Sequence, residues 1–407
     1  MRILHLSSLY PPHIVGGCER SVEHLAEEQV AMGHTVGSAS IERQAEPRVE
    51  RNGVSVYRLD HHNDFWLEDW PQHNAQQRRM QKLKQQWNFE IERQFEKVLD
   101  EFRPDILNSH SLVDVTTLVW RAAHRRGIPV VHTLCDYDLM CGNAAMFRNG
   151  APCDHIHLGC RLVNFSKKFT QRYVDAVASV GTDILSIHVS HGLFQHIPEQ
   201  LRRVIFYSST VPGGDPVERR RMDRSGRPMT FGYIGRINTE KGVGTMIDAF
   251  KMIGPGNWRC LIAGKAMDDS VERFTAQAGD LPIEFIGWAT PKNFFEQIDV
   301  LICPSYWAEP SPRAIYEAYQ MGVPVIGAAS GGIPELIGDQ EWLFKPGSAS
   351  QLADRIRGVL GKSRAELPTE AEFGGIIERS SSRHVGENYL RLYDDVLDRK
   401  RSGSQAH

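Results

Sequence analysis

Residues 305–332 read SYWAEPSPRAIYEAYQMGVPVIGAASGG, and the order of signals inside this stretch sets the architecture. Ser311 suits a helix N-cap and Pro312 the first helical position, where a missing N–H leaves nothing unpaired. Gly322 reads as the C′ stop, and residues 323–327 as a buried parallel strand. Two carboxylates frame the helix start, Glu309 just before it and Glu317 inside it, with seven residues between them. A helix N-terminus carries unpaired N–H groups and partial positive charge, so the amides of Arg313 and Ala314 offer a seat to an anion. An anion seat beside a carboxylate suited to hydroxyl groups is what a nucleotide sugar requires.

Outward from this stretch, strand and helix patterns alternate. Strands are expected over 2–7, 36–40, 54–59, 106–110, 129–134, 176–180 and 203–206. Helices are expected over 19–32, 76–102, 116–126, 166–175 and 183–191. The polar, Gly-, Pro- and Arg-rich break VPGGDPVERRRMDRSGRP at 211–228 marks a domain boundary. A second series follows, with strands near 229–235, 258–263, 283–286, 300–303 and 324–327 and helices over 347–360 and 384–398; the tail RKRSGSQAH reads as frayed. Repeated βα units predict α/β architecture with two Rossmann-like, doubly wound parallel-sheet domains, 1–210 and 211–383. Two such domains face each other across a cleft, and ligands bind at the carboxyl ends of their strands.

At 407 residues the chain exceeds one ordinary core. With 41% hydrophobic and 24% charged residues it has the composition of a globular protein. A net charge of −3 and the lack of any DNA- or RNA-binding motif give no reason to invoke nucleic acid. No apolar run is long enough to span a membrane, and MRILHLSSLYPPH reads as a first strand rather than a signal peptide. Seven cysteines, an odd number, argue against a disulfide framework and for the cytoplasm. Basic clusters at 78–84, 167–168, 202–203 and 219–221 are solvated faces, or a means of peripheral contact with anionic lipid at the inner face of a membrane.

A second constellation, GYIGRINTEKGVGTMIDAF at 232–250, places Arg236 and Lys241 at a strand-to-helix junction beyond Gly235, a spacing suited to a diphosphate. Together with EPSPRAIYEAYQMGVPVIGAASGGIPELI, LSSLYPPHIVGGCERSVEHLAEEQVAMGHTV and HTLCDYDLMC, it closely resembles a family 4 retaining glycosyltransferase with the GT-B fold. The resemblance covers most of the chain. It implies transfer of a sugar from a UDP- or GDP-sugar to a glycan, glycolipid or small-molecule acceptor, with retained configuration and no cofactor or catalytic metal. Arg236 and Lys241 would stabilise the leaving pyrophosphate. Glu309 would face the donor sugar, and Glu317 would bind the ribose hydroxyls. Pro310, Ser311, Pro312, Arg313 and Ala314 would contact sugar and phosphate, and Ile286 would border the base. Gly16 and Gly17 would let the backbone approach the pyrophosphate. The helix 384–398 would return to the N-terminal, acceptor-binding domain. No residue reads as a nucleophile, so the resemblance suggests front-face displacement.

Bland readings stand beside these: solvated glutamates, surface cations, a tight turn at Gly16–Gly17, and Trp288 and Trp307 as packing residues rather than base-stacking ones. A hydrolase using the two glutamates is disfavoured, because a helical backbone would separate their Cα atoms by ~12 Å, against carboxyl spacings of roughly 5–9.5 Å in glycosidases. A nucleotide-sugar epimerase and a nucleotide-binding protein without catalysis are the competing classes. Cys135 stands where the family usually has His; His110, Cys135 and Asp136 are taken as acceptor-side residues. The Gly-, Asn- and Cys-bearing segment 136–163 lacks a regular pattern. Cys141, Cys153, Cys160 and His157 are a ligand set for structural zinc, with a disulfide or unligated thiols in an acceptor loop as the alternatives.

Overall fold

The computed structural model describes residues 1–14, 16–148, 150–224, 226–266 and 268–404. It contains two compact units, one built from 1–146, 154–208 and 382–407, the other from 147–153 and 209–381.

The first unit holds an eight-stranded sheet. Its order is Arg202–Val204, Ala176–Ser179, Val130–Leu134, Ile106–Ser109, Arg2–Leu6, Thr35–Glu42, Val54–Asp60 and Glu46–Arg51, all parallel except the last pairing. The chain runs outward from Arg2–Leu6 in one direction and then restarts on its other side at Ile106–Ser109, which makes a topological switch point. Central strands such as VVHTL are buried throughout, as parallel strands covered on both faces must be. The edge strand EPRVER is exposed and charged, a composition that blocks edge-to-edge pairing.

This edge strand was not expected from the sequence. Its hairpin turn is Asn52–Gly53, both at positive φ (51° and 79°), the dipeptide that favours such turns. The single helix expected over 76–102 is two helices, Ala75–Gln85 and Phe89–Phe102. Asn88 separates them, its side-chain oxygen accepting from the Ile91 N–H at 3.2 Å and capping the second helix. Within 136–163, expected to be irregular, Leu158–Val163 is helical. The terminal helix runs over Ser382–Ser404, so most of the tail expected to fray is helical; residues 405–407 lie outside the described residues. Val385, Tyr389, Leu392, Tyr393 and Val396 bury one helical face in the first unit. Each such burial contributes about 1.5–3 kcal/mol. Asn108 Nδ2 donates to Tyr393 Oη at 2.7 Å, so the tyrosines bury without orphaning their hydroxyls.

The second unit holds a six-stranded parallel sheet in the order Ile283–Gly287, Trp258–Ala263, Met229–Ile234, Val300–Cys303, Val325–Ala328 and Leu343–Phe344. Its core packs Phe231, Phe250 and Trp258, the last two stacked at 4.4 Å between ring centroids. The switch point lies between Met229–Ile234 and Val300–Cys303. The loops that leave these two strands carry Arg236–Lys241 and Ser305–Glu309.

Candidate functional site

The two switch-point loops of the second unit are held against each other by backbone. Tyr306 N–H donates to the Glu240 carbonyl at 2.9 Å. Gly242 sits at φ 75°, and a Cβ there would lie 1.9 Å from the Pro304 carbonyl oxygen, so only glycine permits this approach. Asn238 Oδ1 accepts from the Lys241 N–H at 3.2 Å and fixes the turn before the helix Val243–Ile253.

This packing brings Lys241 onto Glu309, a residue only 5% exposed. Lys241 Nζ pairs with Glu309 Oε1, Ser305 Oγ donates to the same oxygen at 2.8 Å, and the ammonium stands 4.9 Å over the Trp307 ring. Burial alone would raise the Glu309 pKa, but the Lys241 charge and the hydrogen bonds from Lys241, Ser305 and Trp307 outweigh it and hold it below its ordinary value. A glycosidase general acid needs the opposite shift, which counts against the hydrolase reading. Arg236 lies on the same loop with an exposed side chain that makes no ion pair among the described residues.

The segment after Glu309 is clamped from below. Gly332 N–H donates to the Glu309 carbonyl at 2.7 Å and Ser330 Oγ to the Trp307 carbonyl at 2.6 Å. A Cβ on Gly331 would sit 2.3 Å from the Glu309 carbonyl oxygen. Ser305 and the Gly331–Gly332 pair were not singled out from the sequence, although paired glycines two residues beyond a strand are a readable sign of close backbone approach. Pro312, not Ser311, is the N-cap of the helix Arg313–Gln320. The Ser311 hydroxyl lies 2.5 Å from that of Tyr316, because it turns into the core instead of back to the first-turn amides. Pro310 is buried beneath Gly332, and Ala314 is half-buried on the first turn. Glu317 is nearly buried one turn beyond Arg313, whose guanidinium reaches it at 3.4 Å. Gly322 takes φ 65° behind the helix, as its C′ role requires.

Ile286 is half-buried on the outer strand Ile283–Gly287, one strand removed from Met229–Ile234. Trp288, expected as a packing residue, is 65% exposed because the chain leaves the sheet edge at Gly287, whereas Trp307 is buried under Lys241.

In the first unit, Gly16 caps the helix Gly17–Ala31, its N–H donating to Glu19 Oε2 at 3.0 Å. Its φ of −145° suits any residue, and a Cβ there would meet only Glu19 Oε2, at 3.6 Å. The fold itself therefore does not demand a glycine at 16. Cys18, on the first turn of this helix, brings its sulfur within 3.3 Å of that of Cys135, which follows the strand Val130–Leu134. Asp136 Oδ1 accepts from the Asp138 N–H at 2.8 Å; burial first, then the Asp138 charge, push the Asp136 carboxyl up to about 6. Asp138 in turn is buried with Lys167 (2.5 Å) and Lys82 (4.0 Å), and Lys82 with Asp114 (3.0 Å). His110, expected on the acceptor side, is 3% exposed. Gln29 Oε1 accepts from His5 Nε2 at 2.8 Å, so His5 Nδ1 accepts from His110 Nε2 at 3.0 Å. Burial, reinforced by His5 and His132, keeps His110 neutral, and it reads as a core residue.

Among the described residues no three His, Cys, Asp or Glu side chains group so as to hold a metal ion. Cys141 is buried with the Cys160 side chain hydrogen-bonded to it.

Two parallel-sheet units, each with a switch point, define a doubly wound protein whose second unit offers cations beside a buried carboxylate. The family model described as glycosyl transferases group 1 matches residues 216–372, and that described as glycosyl transferase 4-like domain matches 16–197. The chain belongs to the group 1 glycosyltransferases. An uncharacterised 42.6 kDa protein in the cps region of Klebsiella pneumoniae is 28% identical over 338 residues, 83% of this chain and 87% of that one. The amylovoran biosynthesis glycosyltransferase AmsK of Erwinia amylovora is 28% identical over 192 residues, 42% of this chain and 45% of its own. The structure of HepE from Anabaena in complex with UDP and glucose aligns at a TM-score of 0.69 with 17% identity, covering 96% of this chain and 99% of that one. The fold is thus GT-B.

Proposed function

We propose that this protein is a retaining glycosyltransferase that moves a hexose from a UDP- or GDP-sugar to a glycan or glycolipid in polysaccharide assembly. The observation that carries this is the convergence, at one switch point of the second unit, of the Arg236–Lys241 loop with the Glu309 segment. Arg236 and Lys241 hold the pyrophosphate and offset its charge as it leaves, Glu317 takes the ribose hydroxyls, and Glu309 orients the sugar. No metal is needed in this reading, since two side-chain cations do its work. Residues 211–383 form the donor domain. Residues 1–210 with the terminal helix form the acceptor domain, where Cys135 and Asp136 stand beside the acceptor and Gly16, free of any structural need for glycine, admits the pyrophosphate. The relative from a cps region, the amylovoran biosynthesis glycosyltransferase AmsK, and the UDP and glucose bound to the HepE neighbour support the substrate classes. The protein works in the cytoplasm, peripherally attached to the inner face of a membrane.

The test is calorimetric titration with UDP, GDP, ADP and their sugars, with Arg236→Ala and Lys241→Ala beside the natural protein. Selective binding of one uridine or guanosine nucleotide, weakened in both variants, supports the donor site. Binding without acceptor-dependent transfer points to a protein that has lost catalysis. Interconversion of the sugar without acceptor points to an epimerase. An inverted anomeric centre in the product, read by NMR, overturns the retaining mechanism.

A further inference from the structure

In the first unit, the residues 158–172 are amphipathic the wrong way round. Val163, Ser166, Lys167 and Thr170 are buried, whereas Leu158, Leu162, Phe165 and Phe169 are each more than half exposed, Leu158 at 73%. Their spacing of four, three and four residues is that of one helical face, carried here by two short helices, Leu158–Val163 and Lys167–Thr170, with a turn over 164–166 between them. Phe165 and Phe169 meet edge to face at 5.0 Å, in solvent. The orientation is fixed from beneath. Lys167 Nζ donates to the Asp138 carbonyl at 2.8 Å, Gln86 Nε2 donates to the Leu162 carbonyl at 3.2 Å, and Gln86 Oε1 accepts from the Ser166 N–H at 2.8 Å. The same Gln86 follows the helix Ala75–Gln85, which packs on Leu158–Val163 and presents Leu83 outward, and Trp87 in the turn just after it is 51% exposed. Exposed apolar side chains therefore stand on both of two segments that pack together.

Its charge is one-sided. Residues 75–89 and 158–174 contain no Asp or Glu. Arg79, Arg161 and Lys168 are exposed and form no ion pair among the described residues, while Lys84 is paired with Asp64 at 2.8 Å. Contiguous apolar surface on a soluble protein marks a contact site, and unpaired cations around it select what makes the contact. A protein partner that covered only the apolar residues would leave those cations unmatched. A bilayer of anionic lipid takes both, with aromatic and aliphatic side chains at the acyl boundary and Arg and Lys at the phosphates.

We infer that this surface, centred on Leu162, Phe165, Phe169 and Trp87, docks the protein on the face of an anionic bilayer. The inference gives a location to the membrane attachment contained in the proposed function, yet its test involves no donor or acceptor. Failure here leaves the transfer reaction standing, and failure of transfer leaves the docking surface standing.

The full-length protein is sedimented with vesicles of phosphatidylcholine alone, or with about 30% phosphatidylglycerol, at low and high salt. Binding to the anionic vesicles, weakened by salt and reduced about tenfold or more in the triple variant Leu162→Ser, Phe165→Ser, Phe169→Ser, is the expected result. Brominated acyl chains should quench a fluorescence component that Trp87→Phe removes. The triple variant replaces exposed side chains only, so an unchanged unfolding midpoint verifies its fold. Lack of binding to anionic vesicles at low salt overturns the inference, as does binding that the triple variant leaves intact. So does a concentration-dependent dimer in sedimentation velocity that the same variant dissolves, because a second copy would then cover the surface.

Discussion

Replacing Lys241 by methionine keeps most of the side-chain volume and removes the charge that faces Glu309. The pair is shielded, with side-chain exposures of 15% for Lys241 and 7% for Glu309, so water cannot take over the role of the ammonium. Removing one partner of a buried pair costs about 3–5 kcal/mol, because the other charge stays buried without compensation. Ser305 still donates to Glu309, which places the expected loss for Lys241→Met near the lower end, about 3 kcal/mol. Glu309→Gln should cost less, about 1–2 kcal/mol, since the flexible lysine stem lets its ammonium reach solvent. The double variant should be less damaged than the sum of the singles by about 2 kcal/mol. Acid gives the sign. The Glu309 pKa is lowered in the fold from 4.5, so its contribution is present above that value and lost as pH falls through the depressed folded value. Without Lys241, burial dominates, the carboxyl takes up a proton more readily, and the penalty of Lys241→Met fades on acidification. The assay is urea unfolding of the full chain with hydrogen exchange read on peptides from 229–328, which follows the second unit separately. A Lys241→Met protein within about 0.5 kcal/mol of the natural one, or strict additivity in the double variant, would refute the reasoning.

Transfer should rise with pH through an apparent pKa near 6, the value of Asp136; Asp138→Asn should move that limb to lower pH by removing the charge that raises it, and Asp136→Asn should abolish it, all read from initial rates. Gly242→Ala should lower stability by about 3 kcal/mol or more, combining left-handed strain with the clash on Pro304, and should weaken nucleotide binding in the same calorimetric titration. Cys18 and Cys135, 3.3 Å apart, should cross-link when oxidised by a low-molecular-weight disulfide, two thiols yielding one disulfide as the reagent is reduced to its thiols; intact mass falls by about two daltons, dithiothreitol reverses it, and Cys135→Ser prevents it.

Local signals carried the fold. Gly322, the buried strands and the two βα series were legible because each depends on residues a few positions apart. The Asn88 break was missed because the apolar period continues in phase on either side of it. The edge strand was missed because EPRVER lacks every apolar cue, although Asn52–Gly53 announced the hairpin. The site was legible in its residue types but not in its pairing. Lys241 meets Glu309 across 68 positions and Cys18 meets Cys135 across 117, and only the parallel sheets bring those loops together. Trp288 carries no sequence mark that separates an exposed tryptophan from a packed one.

The terminal helix also has a consequence for biosynthesis. Residues 1–208 leave the ribosome long before Ser382–Ser404, yet the helix supplies the hydroxyls that meet Asn108 and Thr133 and the apolar face that closes over the sheet. At roughly 5–20 residues per second, the intervening 209–381 takes about nine to thirty-five seconds to synthesise. Throughout that interval the nascent first unit keeps an uncovered seam, whereas the second unit has most of its sequence in one continuous run and can complete its sheet earlier. The domain that begins first is therefore the one that finishes last, and chaperone capture during translation should fall on its open seam.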